Sequence, residues 1–243
     1  MNLVQSKNRF LRTIRTFISV YPSIYLPISR VKKGGWLVSK DTKIVIEGFP
    51  RSGNSYAEAA FRFSQKSDLK IAHHCHSAAQ LMAAKRWRIP ALVIIRNPLD
   101  ACSSLIMHEP ELFTAKNALK EYITFHEAIM RVHDWCVVAS FEMVIEDFGE
   151  VVRKVNIKYG SDFEEFEKTD SEEAFSLLDS LSSERGTASF KGEPYSIKRS
   201  TAEKRERQLA KQELRAEITK NHNKRLLDRA ESIYQDLYRI KDI

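Results

Sequence analysis

Residues 43–56, KIVIEGFPRSGNSY, contain a strand-like run, a turn with glycines at both ends, and the start of a helix-like run. A turn of this kind commonly binds phosphate, because backbone N–H groups converge there and the helix N-terminus adds partial positive charge. The spacing matches the nucleoside triphosphate loop G-x-x-x-x-G-K-[ST], except that Asn54 replaces the lysine that reaches the β- and γ-phosphates. The loop therefore predicts an anion site whose cation is Arg51, and it argues against an ordinary ATPase.

Four short apolar runs predict buried parallel strands, and helix-like stretches separate them. The strands are predicted at 43–48, 69–74, 91–96 and 136–141, and the helices at 55–66, 77–86, 100–107, 116–132 and 146–159. This alternation predicts an α/β fold, a three-layer doubly wound parallel sheet with a phosphate cradle like that of the P-loop proteins. Ligands of such sheets bind beyond the carboxyl ends of the strands.

The chain of 243 residues is long enough for one large domain, and its 43% hydrophobic and 29% charged residues are typical of globular proteins. We expect a basic N-terminal arm over 1–40 and an α/β domain over 41–243. Within that domain, the acidic, serine-rich and glycine-containing stretch at 160–200 predicts a mobile loop region. Charged, helix-like sequence at 200–240 predicts C-terminal helices.

The net charge of +7 is concentrated in the arm, because residues 1–40 contain eight Lys or Arg and no Asp or Glu. Apolar residues recur on one face of a predicted helix there, with cations largely on the other face. This pattern suits a helix packed on the domain, or one lying on an anionic membrane surface through residues 1–30. A transit peptide is a third option. No recognised nucleic-acid-binding motif accompanies the charge, so we expect no nucleic acid partner.

The chain contains three cysteines, Cys75, Cys102 and Cys136. A small, odd number of cysteines does not suit a disulfide framework. They predict reduced thiols in a cytoplasmic protein. No uninterrupted apolar run approaches the ~18 residues of a membrane-spanning helix.

A second segment, residues 94–104 with the sequence IIRNPLDACSS, has the form of a strand, a tight turn and a helix start. Arg96 ends the strand, and Ser104 follows in the helix. Both side chains could approach one phosphate, the arginine as a forked donor and the serine as a neutral one.

Together the two segments resemble the two cofactor motifs of the sulfotransferases that use 3′-phosphoadenosine 5′-phosphosulfate (PAPS). Residues 50–56 fit the family's loop P-[KR]-S-G-[TN]-[ST]-[WYL], and residues 96–104 fit its segment R-[ND]-P-x-D-x-x-x-S. The run VVASFE at 137–142 resembles the family's strand ending in Tyr-Glu-Asp, with Phe141 in place of the tyrosine. The resemblance covers roughly residues 42–160.

The resemblance implies transfer of a sulfuryl group from PAPS to an acceptor hydroxyl or amine, with no catalytic metal. Arg51 would stabilise the leaving oxygen, and Arg96 and Ser104 would bind the 3′-phosphate. Tyr56 matches a position that often stacks on adenine. Four consecutive residues would hold the 5′-phosphate through backbone N–H groups: Ser52, Gly53, Asn54 and Ser55.

The family's third cofactor element is a basic loop that closes over the 3′-phosphate. Its candidates here are Phe190-Lys191-Gly192 and Lys198-Arg199, although a basic stretch in a loop is more often only solvated. The expected acceptor is a glycan or a lipid-linked saccharide, with small alcohols next.

Residues 72–77, AHHCHS, supply the candidates for a catalytic base. Consecutive ligands cannot close a tetrahedral zinc site alone, and no second ligand pair is evident, so the sequence predicts no metal. The sulfotransferase family carries a catalytic histidine at this point, and histidine suits proton transfer near neutral pH. Alignment on the following small residues favours His76, whereas counting back from Arg96 favours His74. His73 is expected to be structural.

Two other functions remain open at this stage. A small-molecule or nucleoside kinase with an altered loop is one, although it would lack the phosphate-binding lysine and a clear magnesium-binding aspartate. A non-catalytic relative that keeps the fold as a binding module is the other.

Overall fold

The protein is an α/β fold built on one parallel four-stranded sheet. The computed structural model describes residues 3–65, 67–167, 171–184 and 201–241. The strands are β1 (Ile44–Gly48), β2 (Ile71–His73), β3 (Ala91–Ile95) and β4 (Val137–Ser140). They lie in the order β2-β1-β3-β4, and all three pairings are parallel. From β1, the chain adds β2 on one side of the sheet and then β3 and β4 on the other side. Open α/β sheets bind their ligands at such a switch point, which here lies between β1 and β3.

Helices make up most of the described chain. They are α1 (Leu3–Ile18), α2 (Pro22–Lys33), α3 (Asn54–Ser64), α4 (Ala78–Trp87), α5 (Pro98–His108), α6 (Ala115–Ile129), α7 (Phe141–Glu146), α8 (Phe148–Tyr159), α9 (Ser171–Glu184), α10 (Thr201–Ile218) and α11 (Lys224–Ile240). A 3₁₀ turn at Asn221–Asn223 separates the last two, and these helices agree with the helical C-terminus predicted from the sequence.

Hydrophobic cores lie on both faces of the sheet. Alternate residues of a strand point to opposite faces, so Val45 packs into one core while Ile44 and Ile46 pack into the other. Helices α4, α5, α6 and α11 cover the first face, and α3, α8 and α9 cover the second. Every residue of β1 and β3 is buried, as the apolar runs predicted, and in β1 the buried residues include the charged Glu47.

The region predicted as a loop over 160–200 is partly helical, which corrects that expectation. Helix α9 occupies Ser171–Glu184 and packs on α3, where Phe175 contacts Tyr56. Its acidic first turn, with Glu172 and Glu173, is favourable at a helix N-terminus. Residues 185–200 lie outside the described residues, and with them Lys191 and the other candidates for a third cofactor element.

The N-terminal arm contacts the domain through polar side chains, and not through the apolar face that packing on the domain would bury. Arg12 of α1 forms an ion pair with Glu121 of α6, and Arg9 donates to the carbonyl of Glu111. Apolar side chains of α1 face outward, with Phe10 66% and Phe17 63% exposed. The arm therefore meets the domain through polar contacts and leaves an apolar surface uncovered.

All three cysteines are buried as thiols, in agreement with the sequence prediction. Among the residues that the structure describes, no helix is both long and apolar enough to cross a bilayer.

His126 of α6 gives the fold a defined pH dependence. Its ring is buried, stacks on Tyr122 with centroids 3.9 Å apart, and hydrogen-bonds the Tyr122 carbonyl at 2.8 Å. Burial lowers the pKa of His126 to about 4. The unfolded chain, with an ordinary histidine pKa, binds this proton at a higher pH. Stability is therefore complete above about pH 6.5 and falls by about 3 kcal/mol as the pH drops to about 4.

We therefore expect His126→Phe to reduce the pH dependence of the free energy of unfolding between pH 6.5 and 4. Urea titrations at several pH values measure this dependence. The matched control is His222→Phe, because the His222 side chain is 61% exposed. An unchanged pH slope in His126→Phe would show that other groups cause the loss.

Candidate functional site

A cleft of about 370 Å³ opens at the carboxyl ends of the strands. The turn after β1 forms one wall, the histidine segment after β2 another, and Arg96 after β3 a third. Most of the residues selected from the sequence line it: Arg51, Gly53, Asn54, Ser55, Tyr56, His74, His76, Arg96 and Phe141. With Phe141, which follows β4, the segments after all four strands thus meet in one place.

Strained backbone is concentrated in this cleft. In the described part of the chain, four residues other than glycine have positive φ, and three of them are Arg51, His74 and His76. Their φ values are 68°, 53° and 47°. A non-glycine residue in this region costs on the order of 1–3 kcal/mol and persists where surrounding contacts enforce it, often at functional sites. The clustering therefore selects this cleft as the candidate functional site, independently of any motif.

The turn after β1 is closed by its own side chains. Asn54 is buried, and its amide donates to the Phe49 carbonyl at 3.0 Å and approaches the Gly48 carbonyl at 3.5 Å. A Cβ at Gly48 would lie 2.6 Å from both Asn54 and the Ile94 carbonyl, so only glycine fits there. Gly53 caps α3 with a φ of 91°. Asn54 thus holds the turn together instead of reaching towards an anion as a lysine would.

Arg51, Arg96 and Ser104 contact one another across the cleft. The Arg51 Nε donates to the Ser104 Oγ at 3.3 Å, and the Arg96 Nη1 donates to the Arg51 carbonyl at 2.6 Å. The Arg96 guanidinium also lies over the Phe141 ring, 3.9 Å from its centroid. Phe141 stands at the position where the sulfotransferase motif has a tyrosine. Its ring supports Arg96 through a cation–π contact.

Positive charge reaches this region from α10 as well. Burial lowers the pKa of Arg96, and the nearby Arg51 and Arg215 act in the same direction. Asp100 ion-pairs with Lys211 and Arg215 of α10, and these cations hold the pKa of its carboxyl below the usual value despite partial burial. An anion near Arg96 would relieve repulsion among these cations.

The segment that carries the histidines is clamped at Cys75. The buried Glu47 carboxylate of β1 accepts the Cys75 N–H at 2.9 Å and the Gln80 amide at 3.0 Å. On the other side, Arg15 and Tyr25 of the N-terminal arm donate to the Cys75 carbonyl at 3.1 and 3.2 Å. The arm therefore helps to position His74 and His76, a role that no sequence motif of the arm indicates.

His74 and His76 make different hydrogen bonds. The His76 Nδ1 lies 2.9 Å from the Gly48 carbonyl, which can only accept, so Nδ1 carries the proton and the neutral ring presents Nε2 as its basic nitrogen. The His74 Nε2 lies 2.7 Å from the Ser55 Oγ, and its Nδ1 faces Glu58 at 3.2 Å. His76 therefore has the geometry of a base, and His74 that of a member of a hydrogen-bonded chain.

Two of the predicted cofactor residues that the structure describes, Ser52 and Ser104, do not line the cleft, although Arg51 donates to the Ser104 hydroxyl. Ser52 is fully buried, and its N–H donates to the Phe49 carbonyl at 3.2 Å, within the turn. Lys191 lies outside the described residues. Tyr56, predicted to meet adenine, does line the cleft and packs against Phe175 at 5.2 Å.

Several cleft residues had no signal in the sequence. Arg12 comes from α1, His108 and Glu109 from the end of α5, and Phe175 and Leu178 from α9. Burial lowers the pKa of His108, with Arg51 adding to the effect. None of these lies in a motif, and each reaches the cleft only through tertiary packing.

Comparison of the chain with protein-family models, curated proteins and solved structures found no significant match.

Proposed function

We propose that the protein is a sulfotransferase that moves a sulfuryl group from PAPS to an acceptor hydroxyl. The observation that carries the proposal is the meeting of Arg51, Arg96 and the histidine segment at the N-terminus of α3. These residues come from the segments that resemble the sulfotransferase motifs. The cleft's volume of about 370 Å³ lies in the range of small-molecule sites.

Recognition of PAPS would rest on cations and backbone donors. The turn at residues 53–55 and the N-terminus of α3 would hold the 5′-phosphosulfate as a phosphate cradle. Arg96 and Ser104 would bind the 3′-phosphate and so select PAPS over ATP. Ser52, whose N–H is used within the turn, is the weakest member of the predicted set.

Chemistry would depend on Arg51 and His76. The acceptor oxygen attacks sulfur in line, the bond from sulfur to the 5′-phosphate oxygen breaks, and the acceptor proton passes to the His76 Nε2. Charge builds on the leaving oxygen in such a loose transition state, and Arg51 would stabilise it. No step needs a metal ion.

The kinase alternative gains no support from Asn54, whose amide points into the turn and not towards a triphosphate. The strain at Arg51, His74 and His76 is compatible with a ligand clamp as well as with catalysis, so the transfer assay below separates the non-catalytic alternative from the enzyme. We propose a glycan or lipid-linked saccharide as the acceptor, ahead of small alcohols, and a cytoplasmic location.

The function is tested with PAPS labelled in its sulfuryl group. Incubation of the protein with fractionated cell extract should transfer label to one fraction, and the Arg51→Ala protein should transfer little. Transfer from γ-labelled ATP instead would support a kinase. Binding of the nucleotide without transfer to any fraction would support the non-catalytic alternative.

The exposed surface of the N-terminal arm bears on where the acceptor is located. Eight of the large apolar side chains exposed in the described residues lie on α1, α2 and the turn between them: Phe10, Leu11, Ile14, Phe17, Tyr21, Ile24, Ile28 and Val31. The exposed cations Lys7 and Arg30 lie in the same region, which lacks acidic residues. We propose that this surface rests on an anionic membrane. Arg12 of α1 lines the cleft, so the contact would bring a lipid-linked acceptor close to it.

We expect Phe10→Ser/Phe17→Ser to weaken binding to vesicles containing phosphatidylserine by at least about tenfold, because two phenyl groups lose apolar burial. Co-sedimentation measures the bound fraction. The control is Ile157→Ser, which removes a 77%-exposed apolar side chain from α8. Equal binding by both variants, or equal binding to uncharged vesicles, would exclude this contact.

A further inference from the structure

A buried cluster of three potential metal ligands lies behind the cleft. The Glu58 Oε2 is 3.0 Å from the His73 Nδ1 and 3.2 Å from the His74 Nδ1, and the two Nδ1 atoms are 2.7 Å apart. Glu58 and His73 are almost fully buried, whereas His74 is partly exposed to the cleft. Three atoms that can each offer a lone pair thus face a common point.

The backbone is bent to create this convergence. His73 ends β2, and in a continuing strand the next side chain would point to the opposite face. His74 instead has a φ of 53°, which brings its ring to the same side as that of His73. Glu58 reaches the same point from α3. Strained backbone that turns the His74 ring towards His73 and Glu58, while its Nε2 meets Ser55, is the kind of local strain found at ligand sites.

The surroundings are those of an ordered metal site. The second carboxylate oxygen of Glu58 accepts from the Arg62 Nε at 2.8 Å, which orients the carboxylate. The Trp36 ring packs beside both imidazoles, with centroids 5.7 Å from His73 and 6.4 Å from His74. Outer contacts of this kind hold metal ligands in place and limit the access of water.

We propose that Glu58, His73 and His74 bind one divalent transition-metal ion of the zinc class. Two imidazoles and one carboxylate are a common zinc ligand set, leaving one position of a tetrahedron for a further ligand. Metal–ligand distances of about 2.0–2.2 Å place tetrahedral ligands about 3.3 Å apart. The separations from Glu58 are 3.0 and 3.2 Å and that between the two imidazoles is 2.7 Å, so metal binding requires the two rings to move apart by about 0.6 Å.

Metal binding would fix the hydrogen bond between His74 and Ser55. With its Nδ1 on the metal, the neutral His74 ring carries its proton on Nε2 and donates to the Ser55 Oγ, which lies 2.7 Å away. The Ser55 hydroxyl then keeps its own proton for an anion in the cleft. The site is distinct from the proposed PAPS-binding residues in its ligands, and it does not depend on the sulfotransferase proposal.

The test uses the full chain, stripped with EDTA and then titrated with Zn²⁺ and with Co²⁺. We expect one equivalent of zinc after desalting, measured by elemental analysis, and the visible absorption of tetrahedral Co²⁺. Glu58→Gln and His73→Ala should each weaken zinc binding at least a hundredfold, because loss of a direct ligand exceeds the tenfold to hundredfold effect of outer contacts. His222→Ala, which removes an exposed histidine elsewhere, should bind as the unmodified chain does.

Glu58→Gln keeps the shape of the side chain and an acceptor for Arg62, so circular dichroism should show it folded even if His73→Ala is not. Absence of stoichiometric zinc in the unmodified chain would overturn the proposal and leave a purely hydrogen-bonded cluster. Equal zinc binding by the folded Glu58→Gln protein would overturn it as well, by showing that the metal binds elsewhere.

Discussion

Arg96→Ala is expected to weaken binding of adenosine 3′,5′-bisphosphate roughly a hundredfold while leaving the affinity for AMP nearly unchanged. The two ligands differ by the 3′-phosphate, and a forked arginine makes two charge-assisted hydrogen bonds to such a group. Arg96 is prepared for this role, because burial and its Phe141 contact hold the guanidinium in one position. Isothermal titration with both nucleotides measures the difference.

Two further variants make the Arg96 comparison specific. Arg96→Lys keeps the charge without the fork and should recover only part of the affinity. Arg86→Ala removes an exposed arginine of α4 and should bind both nucleotides as the unmodified chain does. An equal loss for AMP and bisphosphate would mean that Arg96 only supports the turn, through its bond to the Arg51 carbonyl.

His76→Ala is expected to lower sulfuryl transfer by about 10²–10⁴-fold, the usual contribution of a general base, while bisphosphate affinity is retained. The reason is the His76 bond to the Gly48 carbonyl, which assigns its proton to Nδ1 and its lone pair to Nε2. Initial rates with labelled PAPS, measured on the extract fraction that takes up sulfate, give the comparison.

His74→Ala should behave differently from His76→Ala. Its ring bonds Ser55 and Glu58, so its loss should weaken nucleotide binding more than it slows transfer at saturating PAPS. A His76 variant with unchanged turnover, together with a His74 variant with a large loss, would transfer the role of base to His74.

The sequence predicted those parts of the fold that depend on local pattern. The runs of β1 and β3 are buried on both faces of the sheet, so nearly all of their residues are apolar, and Glu47 of β1 is the one charged exception. Because parallel strands end at the same edge, the positions of Arg51 and Arg96 after two such strands were enough to predict that they meet. The two segments are distant in sequence, yet the Arg96 Nη1 lies 2.6 Å from the Arg51 carbonyl.

The sequence could not predict features created by tertiary packing. The outward apolar face of α1 follows from ion pairs with α6, in particular that of Arg12 with Glu121, which amphipathicity alone does not reveal. Glu58 belongs to no motif, yet α3 buries it against His73. The predicted absence of a metal rested on the spacing of the histidines alone, whereas the carboxylate that we propose as a third ligand lies on a different element.

Titration with adenosine 3′,5′-bisphosphate in a buffer containing EDTA tests the central claim most directly, because it requires the proposed phosphate sites but neither an acceptor nor a metal. The account predicts one bound nucleotide per chain, retained in His76→Ala and greatly weakened in Arg96→Ala. No detectable bisphosphate binding, together with tight binding of ATP and magnesium, would contradict it.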